Sequence, residues 1–443
     1  MTTVSSISSV SLVSSVFHFC SISVFGDSML ICLTPPPSGP FGPSRPFRFL
    51  ILGEAQCLYS GRGDFSRPFG EAEASPTQSR PNRRNRRNDE IDETDEIDQM
   101  DETNEYLERR TVERTRANRT LAENREDKAL FGLYRACRLC PRGCGVDRTR
   151  GRRGFCGETS TLRVAAIEAH KGEEPPISGS RGSGTVFFTG CSLRCSFCQN
   201  HQISHEGLGH PMGVEELART LVCLQREKGI HNVNFVTPDH VLPHCMALVR
   251  RLRRLGCKMP VLYNLSGYQS LESLRLMEPC ADIYLPDFKY SDRDLAARLS
   301  RCPDYPSVAL EAISEMIRQK GFLFPLEEDS DGRPIPAQRG VLVRHLILPS
   351  QVRNSLDALT MLFVEFGKDL PLSLMSQYTP IKRPSAISGL DRPLLPDEFH
   401  KVIEHALQLG FRNLFVQYPE EMDPSDRPFV PDFTRPRPFA GNI

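Results

Sequence analysis

From about residue 183 onward, apolar runs of strand length alternate with stretches of helical periodicity, and this alternation limits the fold more than any other feature. The strand candidates are GTVFFTG (184–190), HNVNFVT (231–237), PVLYNL (260–265), DIYLPDF (282–288), VLVRHLIL (341–348), LSLMSQY (372–378) and RNLFVQ (412–417). In GVEELARTLVCLQREKG (213–229), Val214, Leu217, Leu221, Val222 and Leu224 recur near helical spacing. HVLPHCMALVRRLRRLG (240–256) puts Val241, Cys245, Leu248, Val249, Leu252 and Leu255 on one face, and Gly256 fits a C-terminal stop. Arg250, Arg251, Arg253 and Arg254 form its solvated back. Further helical sequence follows from Leu271, over 291–320, from Asn354 to Phe366 and from Pro396 to Leu409. Six strands each followed by helical sequence, with a seventh at the end, predict a parallel α/β architecture. VLVRHLIL, apolar almost throughout, fits burial on both faces. Periodicity alone does not separate an open doubly wound sheet from a barrel.

The N-terminal third has a different character. Residues 1–44 contain no Lys or Arg, and ten of the first 33 residues are Ser. The basic n-region of a secretory signal is missing. The apolar stretch from Val10 to Leu33 is interrupted by Ser, His18 and Asp27, so it falls short of the roughly 20 apolar residues of a membrane span. Residues 34–47 are Pro-rich. Residues 80–87 hold five Arg, and residues 89–105 hold ten acidic side chains and no basic one. Such blocks repel internally and stay solvated. The expected organisation is a disordered extension (1–128), a Cys-rich segment (129–182), the α/β domain (183–420) and a tail (421–443). Met29 and Met100 are alternative starts.

Lys plus Arg and Asp plus Glu balance at 55 each, which argues against a general nucleic-acid binder. Seven of the 15 Cys fall between Cys137 and Cys198. In a chain of 443 residues that clustering reads as metal ligation in a reducing compartment, so a cytoplasmic protein is expected. The sharpest group is GTVFFTGCSLRCSFCQN (184–200), with Cys191, Cys195 and Cys198 at C-x3-C-x2-C directly after the first strand. The C-terminal end of a parallel strand is where such folds keep chemistry. Three close thiolates without a fourth Cys suit a four-iron cluster with one open iron. Zinc, with His201 or His205 as fourth ligand, is the competing reading.

The C-x3-C-x-aromatic-C pattern, with Phe197 as the aromatic, resembles the cluster motif of the radical S-adenosylmethionine (SAM) superfamily. Gln199 and Asn200 look like the glycyl-radical-enzyme activase branch. The blocks NFVTP (234–238), YNLSGY (263–268), DIYLPDFKY (282–290), VRHLILP (343–349) and LMSQYTP (374–380) are similar to pyruvate formate-lyase-activating-enzyme homologues over roughly residues 129–420. The resemblance implies a partial (β/α)6 barrel in which Cys191, Cys195 and Cys198 hold a [4Fe-4S] cluster. It implies that SAM chelates the open iron and is cleaved reductively to a 5′-deoxyadenosyl radical that abstracts a hydrogen from the substrate. It also implies a low-potential electron donor of flavodoxin or ferredoxin type. The substrate is then a glycyl radical protein, or else a small molecule or peptide held in a pocket closed by the 291–340 insertion. A non-enzymatic metal or electron-carrier module is the third reading. No membrane or nucleic-acid partner is expected.

Carried over residue by residue, Asp287 and Lys289 resemble the Asp-x-Lys pair near the methionyl group of SAM, where the two charges would suit a zwitterion. The Gly-Gly-Glu motif found after the second strand in many relatives is absent, and NFVTPDH (234–240) offers Asn234 and Thr237 instead. Asn264, Ser266, Arg344, His345 and Gln377 are the other polar candidates at or near strand ends.

Upstream, CRLCPRGCGVDRTRGRRGFCG places Cys137, Cys140, Cys144 and Cys156 at C-x2-C-x3-C-x11-C, among Gly residues that permit tight turns. Four Cys so spaced fit zinc or a second iron–sulfur cluster, and reduced thiols without metal are the competing reading. The surrounding Arg side chains would offset a tetrathiolate charge or meet an acidic donor protein.

Overall fold

The computed structural model describes residues 49–52, 127–323, 330, 335–381, 388–418 and 430–439. Most of the expected extension, including its charge blocks and both alternative starts, lies outside them. Six of its residues do not: Asp127 and Lys128 lead into the Cys-rich segment, and Phe49–Leu52 (β1) pair antiparallel with Leu414–Gln417 (β11).

Between these lie β2 (Arg163–His170), β3 (Ser183–Phe188), β4 (His210–Pro211), β5 (Asn232–Val236), β6 (Val261–Leu265) and β7 (Ile283–Pro286). Then come β8 (Gly340–Val341), β9 (Val343–Leu346) and β10 (Leu372–Met375). One sheet runs β4-β2-β3-β5-β6-β7-β8 and the other β1-β11-β10-β9. A bridge joins them: Asp287, just past β7, pairs in parallel with Arg344 of β9, and Phe288 N–H donates to Arg344 O at 2.7 Å. The parallel series is therefore β3-β5-β6-β7-β9-β10-β11, and all seven strand candidates fall on it.

Side-chain alternation decides between open sheet and barrel. Leu262 of β6, Ile283 and Leu285 of β7, Leu342 and Phe415 of β11 form one buried cluster with Ile177. The central strands β6 and β7 meet the terminal strand β11 there only if the sheet curls around that cluster. Ile177 comes from a short helix, α1 (Pro175–Ser178), in the β2–β3 connection. Above this apolar floor, the same inward positions turn polar: Asn264 follows Leu262, Asp287 follows Leu285, Arg344 follows Leu342 and Gln417 follows Phe415. The fold is thus a partial α/β barrel with a dry floor and a charged mouth.

The outer layer follows the predicted periodicity. After α2 (His201–Ser204), α3 (Val214–Lys228) buries Leu217, Ala218 and Leu221. In α4 (Leu242–Arg254), the arginine back face is engaged locally: Arg251 pairs with Glu215, Arg250 with Asp127, and Arg253 donates to Cys257 O and Met259 O. The layer continues with α5 (Leu271–Met277), α6 (Arg293–Ser300), α7 (Tyr305–Lys320), α8 (Val352–Phe366) and α9 (Pro396–Leu409). Among the described residues, no helix is long and apolar enough to cross a membrane.

Two features depart from the sequence reading. The Cys-rich segment is not strand-free: β2 pairs antiparallel with β3 over most of its length. The 291–340 insertion contributes none of its described residues to the lining of the cavity at the mouth. Its helices pack outside the strands, and Tyr305 reaches inward as a buttress. Its hydroxyl lies 2.8 Å from Ser266 O and 2.9 Å from Asp287 O, and it accepts the Lys289 N–H at 2.9 Å. Gly267 makes this approach feasible, because a Cβ there would lie 2.0 Å from Asp287 O. The cover comes instead from residues 430–439. β3 and β11 are not hydrogen-bonded neighbours. Phe433 and Phe439 both pack on Phe187 of β3 with ring centroids 5.4 Å away. Gln202 of α2 receives the Phe433 N–H at 2.7 Å.

Candidate active site

The loop after β3 carries Cys191, Cys195 and Cys198, all free thiols. Its conformation is set by Arg194, which takes a left-handed φ of 54°. That turn points two backbone donors at one sulfur: Leu193 N–H and Arg194 N–H approach Cys191 Sγ at 3.3 and 3.4 Å. Ser204 Oγ donates to Cys198 Sγ at 3.3 Å. Donors aimed at sulfur favour the thiolate, the form that binds metal. Burial, helped by the neighbouring Cys195, pushes Cys198 up to about 11, so without iron Cys198 would be a neutral thiol at neutral pH. Neither histidine completes a zinc site. His205 Nε2 donates to Cys195 O at 3.0 Å, and His201 Nδ1 meets Glu206 at 3.0 Å. Among the described residues, no three His, Cys, Asp or Glu side chains converge as one ion requires. A cluster, in which each thiolate takes its own iron, needs no such convergence, so the donor set fits the iron–sulfur reading.

The loop rests on a turn that sequence reasoning passed over. Asp239 accepts Ser192 Oγ at 3.3 Å and Gln269 Nε2 at 2.8 Å, and burial raises it to about 6. His240 Nε2 donates to Thr189 O at 2.6 Å. The P-D-H tripeptide after β5 thus supports the loop from below. Its signal was present in NFVTPDH, as two charged residues ending an apolar strand.

Asp287 and Lys289 stand on one face of the chain, as i and i+2 in an extended segment must. They form an ion pair with each other, both side chains less than a fifth exposed. Burial works against the Lys289 charge, but the paired Asp287 carboxylate outweighs it and raises the ammonium. Tyr290, the next residue, meets Phe197 of the cysteine loop with ring centroids 6.4 Å apart, which places Lys289 beside that loop. Asn264 and Gln377 line one cavity together with Arg344. Thr237, in a left-handed turn (φ 49°), ends β5, and its N–H donates to Asn264 O at 2.8 Å. Ser266 Oγ accepts Gln269 Nε2 at 3.4 Å.

Arg344 is already engaged. Its guanidinium is buried between Glu173 and Glu174, with Nε 2.8 Å from Glu174 Oε1. Asn234 Nδ2 donates to Glu173 at 2.8 Å. Burial would raise the Glu173 carboxyl, but Arg344, aided by His170 and Asn234, holds it below the usual carboxylate range. The two glutamates were not singled out from sequence. A lone Arg inside an apolar strand was the available signal, because a buried charge demands a partner.

His345 is not part of the cavity. Strand alternation that turns Arg344 inward turns His345 outward, where Nδ1 donates to Phe288 O at 2.6 Å and Nε2 accepts Ser355 Oγ at 2.9 Å. It is a satisfied core histidine, and burial lowers it to about 4. Unfolding below about pH 6.5 therefore takes up a proton. The stability carried by neutral His345 is complete above that value and is lost as pH falls toward 4. Relative to His345→Gln, the parent should show a steeper loss of unfolding free energy across this window, by up to about 1.4 kcal/mol per pH unit. Urea titrations at stepped pH check it; equal slopes refute it.

The cavity itself is about 90 Å³, small beside the roughly 300–1,000 Å³ of ligand sites. Asn200 and Gln417 also line it, and Asn200 Oδ1 and Gln417 Oε1 are buried with no partner among the described residues. Such orphaned acceptors beside charged groups fit a ligand bearing donors, such as the amino group of an amino acid.

Residues 185–323 match the family model of the Radical SAM superfamily. An uncharacterised protein of Methanocaldococcus jannaschii is 28% identical over 285 residues, which is 62% of this chain and 75% of that protein. Solved structures with a similar chain path include anSMEcpe with bound AdoMet (TM-score 0.36, 11% identity, covering 50% of this chain and 57% of that one). SuiB of Streptococcus suis gives TM-score 0.35 at 11% identity, covering 53% of this chain and 48% of that one. This chain therefore spans about half the length of those two structures. The family match takes in the three-thiol loop and strands β3 to β7, and over that span the chain is similar to the Radical SAM superfamily.

Proposed function

We propose that this protein is a radical SAM enzyme that abstracts a hydrogen atom from its substrate inside the barrel mouth. The observation that carries the reading is the three-thiol loop, with sulfur-directed donors, beside the buried Asp287–Lys289 pair. When bound, the [4Fe-4S] cluster and SAM would supply a 5′-deoxyadenosyl radical, at the cost of one electron from a flavodoxin- or ferredoxin-like donor. Cys191, Cys195 and Cys198 would hold three of the irons. Asp287 and Lys289 would separate to meet an ammonium and a carboxylate, and the Asn200 and Gln417 carbonyls would accept further N–H donors. Phe433 and Phe439 would keep water from the mouth, as a carbon radical requires.

Within that reading, Gln199–Asn200 and the Asp-x-Lys pair favour a glycyl radical protein as substrate, through their likeness to activating enzymes. A small-molecule substrate is favoured by the covered gap between β3 and β11 and the narrow cavity. Anaerobic reconstitution with iron and sulfide, followed by dithionite and SAM, should release 5′-deoxyadenosine and methionine. Absence of both from iron-loaded protein would sink the proposal. A co-incubated glycyl radical enzyme that develops an EPR doublet would decide for the protein substrate.

A further inference from the structure

The upstream cysteines fold into a knuckle that the barrel reading leaves unused. Gly145 N–H donates to Cys137 O at 2.9 Å, Cys137 N–H to Val146 O at 3.1 Å and Gly143 N–H to Cys140 O at 3.0 Å. These turns bend the C-x2-C-x3-C run back on itself. Cys156 returns from a later turn to the same place: a Cβ built on Gly154 would sit 3.4 Å from Cys144 Sγ and 3.8 Å from Cys156 Sγ. All four are free thiols, Cys137 and Cys156 buried and the other two half-buried.

Arg148 is the telling neighbour. It is completely buried and makes no ion pair among the described residues. Its guanidinium donates to Thr159 O (2.6 and 3.1 Å) and His240 O (2.6 Å), and lies 3.6 Å from Cys137 Sγ. It also sits over the Tyr134 ring at 4.5 Å. A buried cation with neutral partners alone is costly. Metal-bound thiolates would supply the missing negative charge. We propose that Cys137, Cys140, Cys144 and Cys156 hold a second iron–sulfur cluster, with Arg148 as its buried counter-charge. Tetrahedral zinc would draw the sulfurs to about 3.8 Å from one another around one ion. The four do not converge in that way. A cluster gives each thiolate its own iron and lets the sulfurs stand apart.

The knuckle also bears directly on the three-thiol loop. Arg142, between Cys140 and Cys144, donates to Ser192 O at 3.0 Å, Leu193 O at 3.4 Å and Ser300 O at 2.7 Å. Gly190, just before the loop, lets the Cys156 backbone come close as well, since a Cβ there would lie 2.8 Å from Cys156 O. The knuckle thus packs against the loop that would hold the first cluster.

The test uses the full chain purified without oxygen. A Cys191→Ala/Cys195→Ala/Cys198→Ala variant should still hold about four iron with matching sulfide, and its reduced EPR signal should not respond to SAM. The parent should hold about eight, falling to about four in Cys137→Ser/Cys140→Ser. In the triple variant, Arg148→Leu should lower the midpoint potential, because the added electron loses its nearby cation. Zinc in place of iron, or a metal-free triple variant beside a parent with about four iron, overturns the assignment. Either result leaves the radical SAM reading standing, which rests on 5′-deoxyadenosine release.

Discussion

Cys195→Ala should abolish 5′-deoxyadenosine formation, down to the level of protein lacking iron, while the barrel stays folded. The residue is buried in the loop after β3, and Ala supplies no ligand for iron. The surrounding frame does not depend on its sulfur: Ser196 N–H donates to Leu299 O at 2.8 Å and Arg194 holds the turn. The lost side-chain packing should cost only about 1 kcal/mol. Chromatography of anaerobic reaction mixtures gives the product, and circular dichroism gives the fold. Undiminished product from the variant would remove the three-thiol loop from the chemistry.

The second large effect concerns stability. Arg344→Met leaves Glu173 and Glu174 buried together with no cation between them, which should cost about 3–5 kcal/mol. For a domain of this size that corresponds to a melting temperature lower by about 10 °C. Glu173→Gln/Glu174→Gln/Arg344→Met, which removes all three charges, should recover most of the loss. Double-mutant analysis of thermal melts checks both statements. If Arg344→Met melts with the parent, the triad contributes nothing and the arginine is free for a ligand.

The architecture was legible because strand burial writes itself into continuous apolar runs, and all seven lie on the parallel series. The three-thiol loop was legible because its members are neighbours in sequence. Asp287 and Lys289 were legible for the same reason, since a spacing of two fixes a shared face. Glu173 and Glu174 were hidden because their partner lies 170 and 171 residues away. His345 misled because polarity in an apolar strand does not say which way a side chain faces; only its register with Arg344 does. The cover formed by Phe433 and Phe439 could not be anticipated, as nothing local ties a tail segment to β3.

The Glu173–Glu174–Arg344 knot also orders events in time. The two acids leave the ribosome long before their arginine, and until then they must stay in water, outside the dry floor that Ile177 helps to fill. The first strands can pair as they are made, but the β2–β3 connection cannot settle until β9 has been synthesised. Closure of the whole domain thus waits on its last third, the behaviour expected when the decisive contacts span most of the chain.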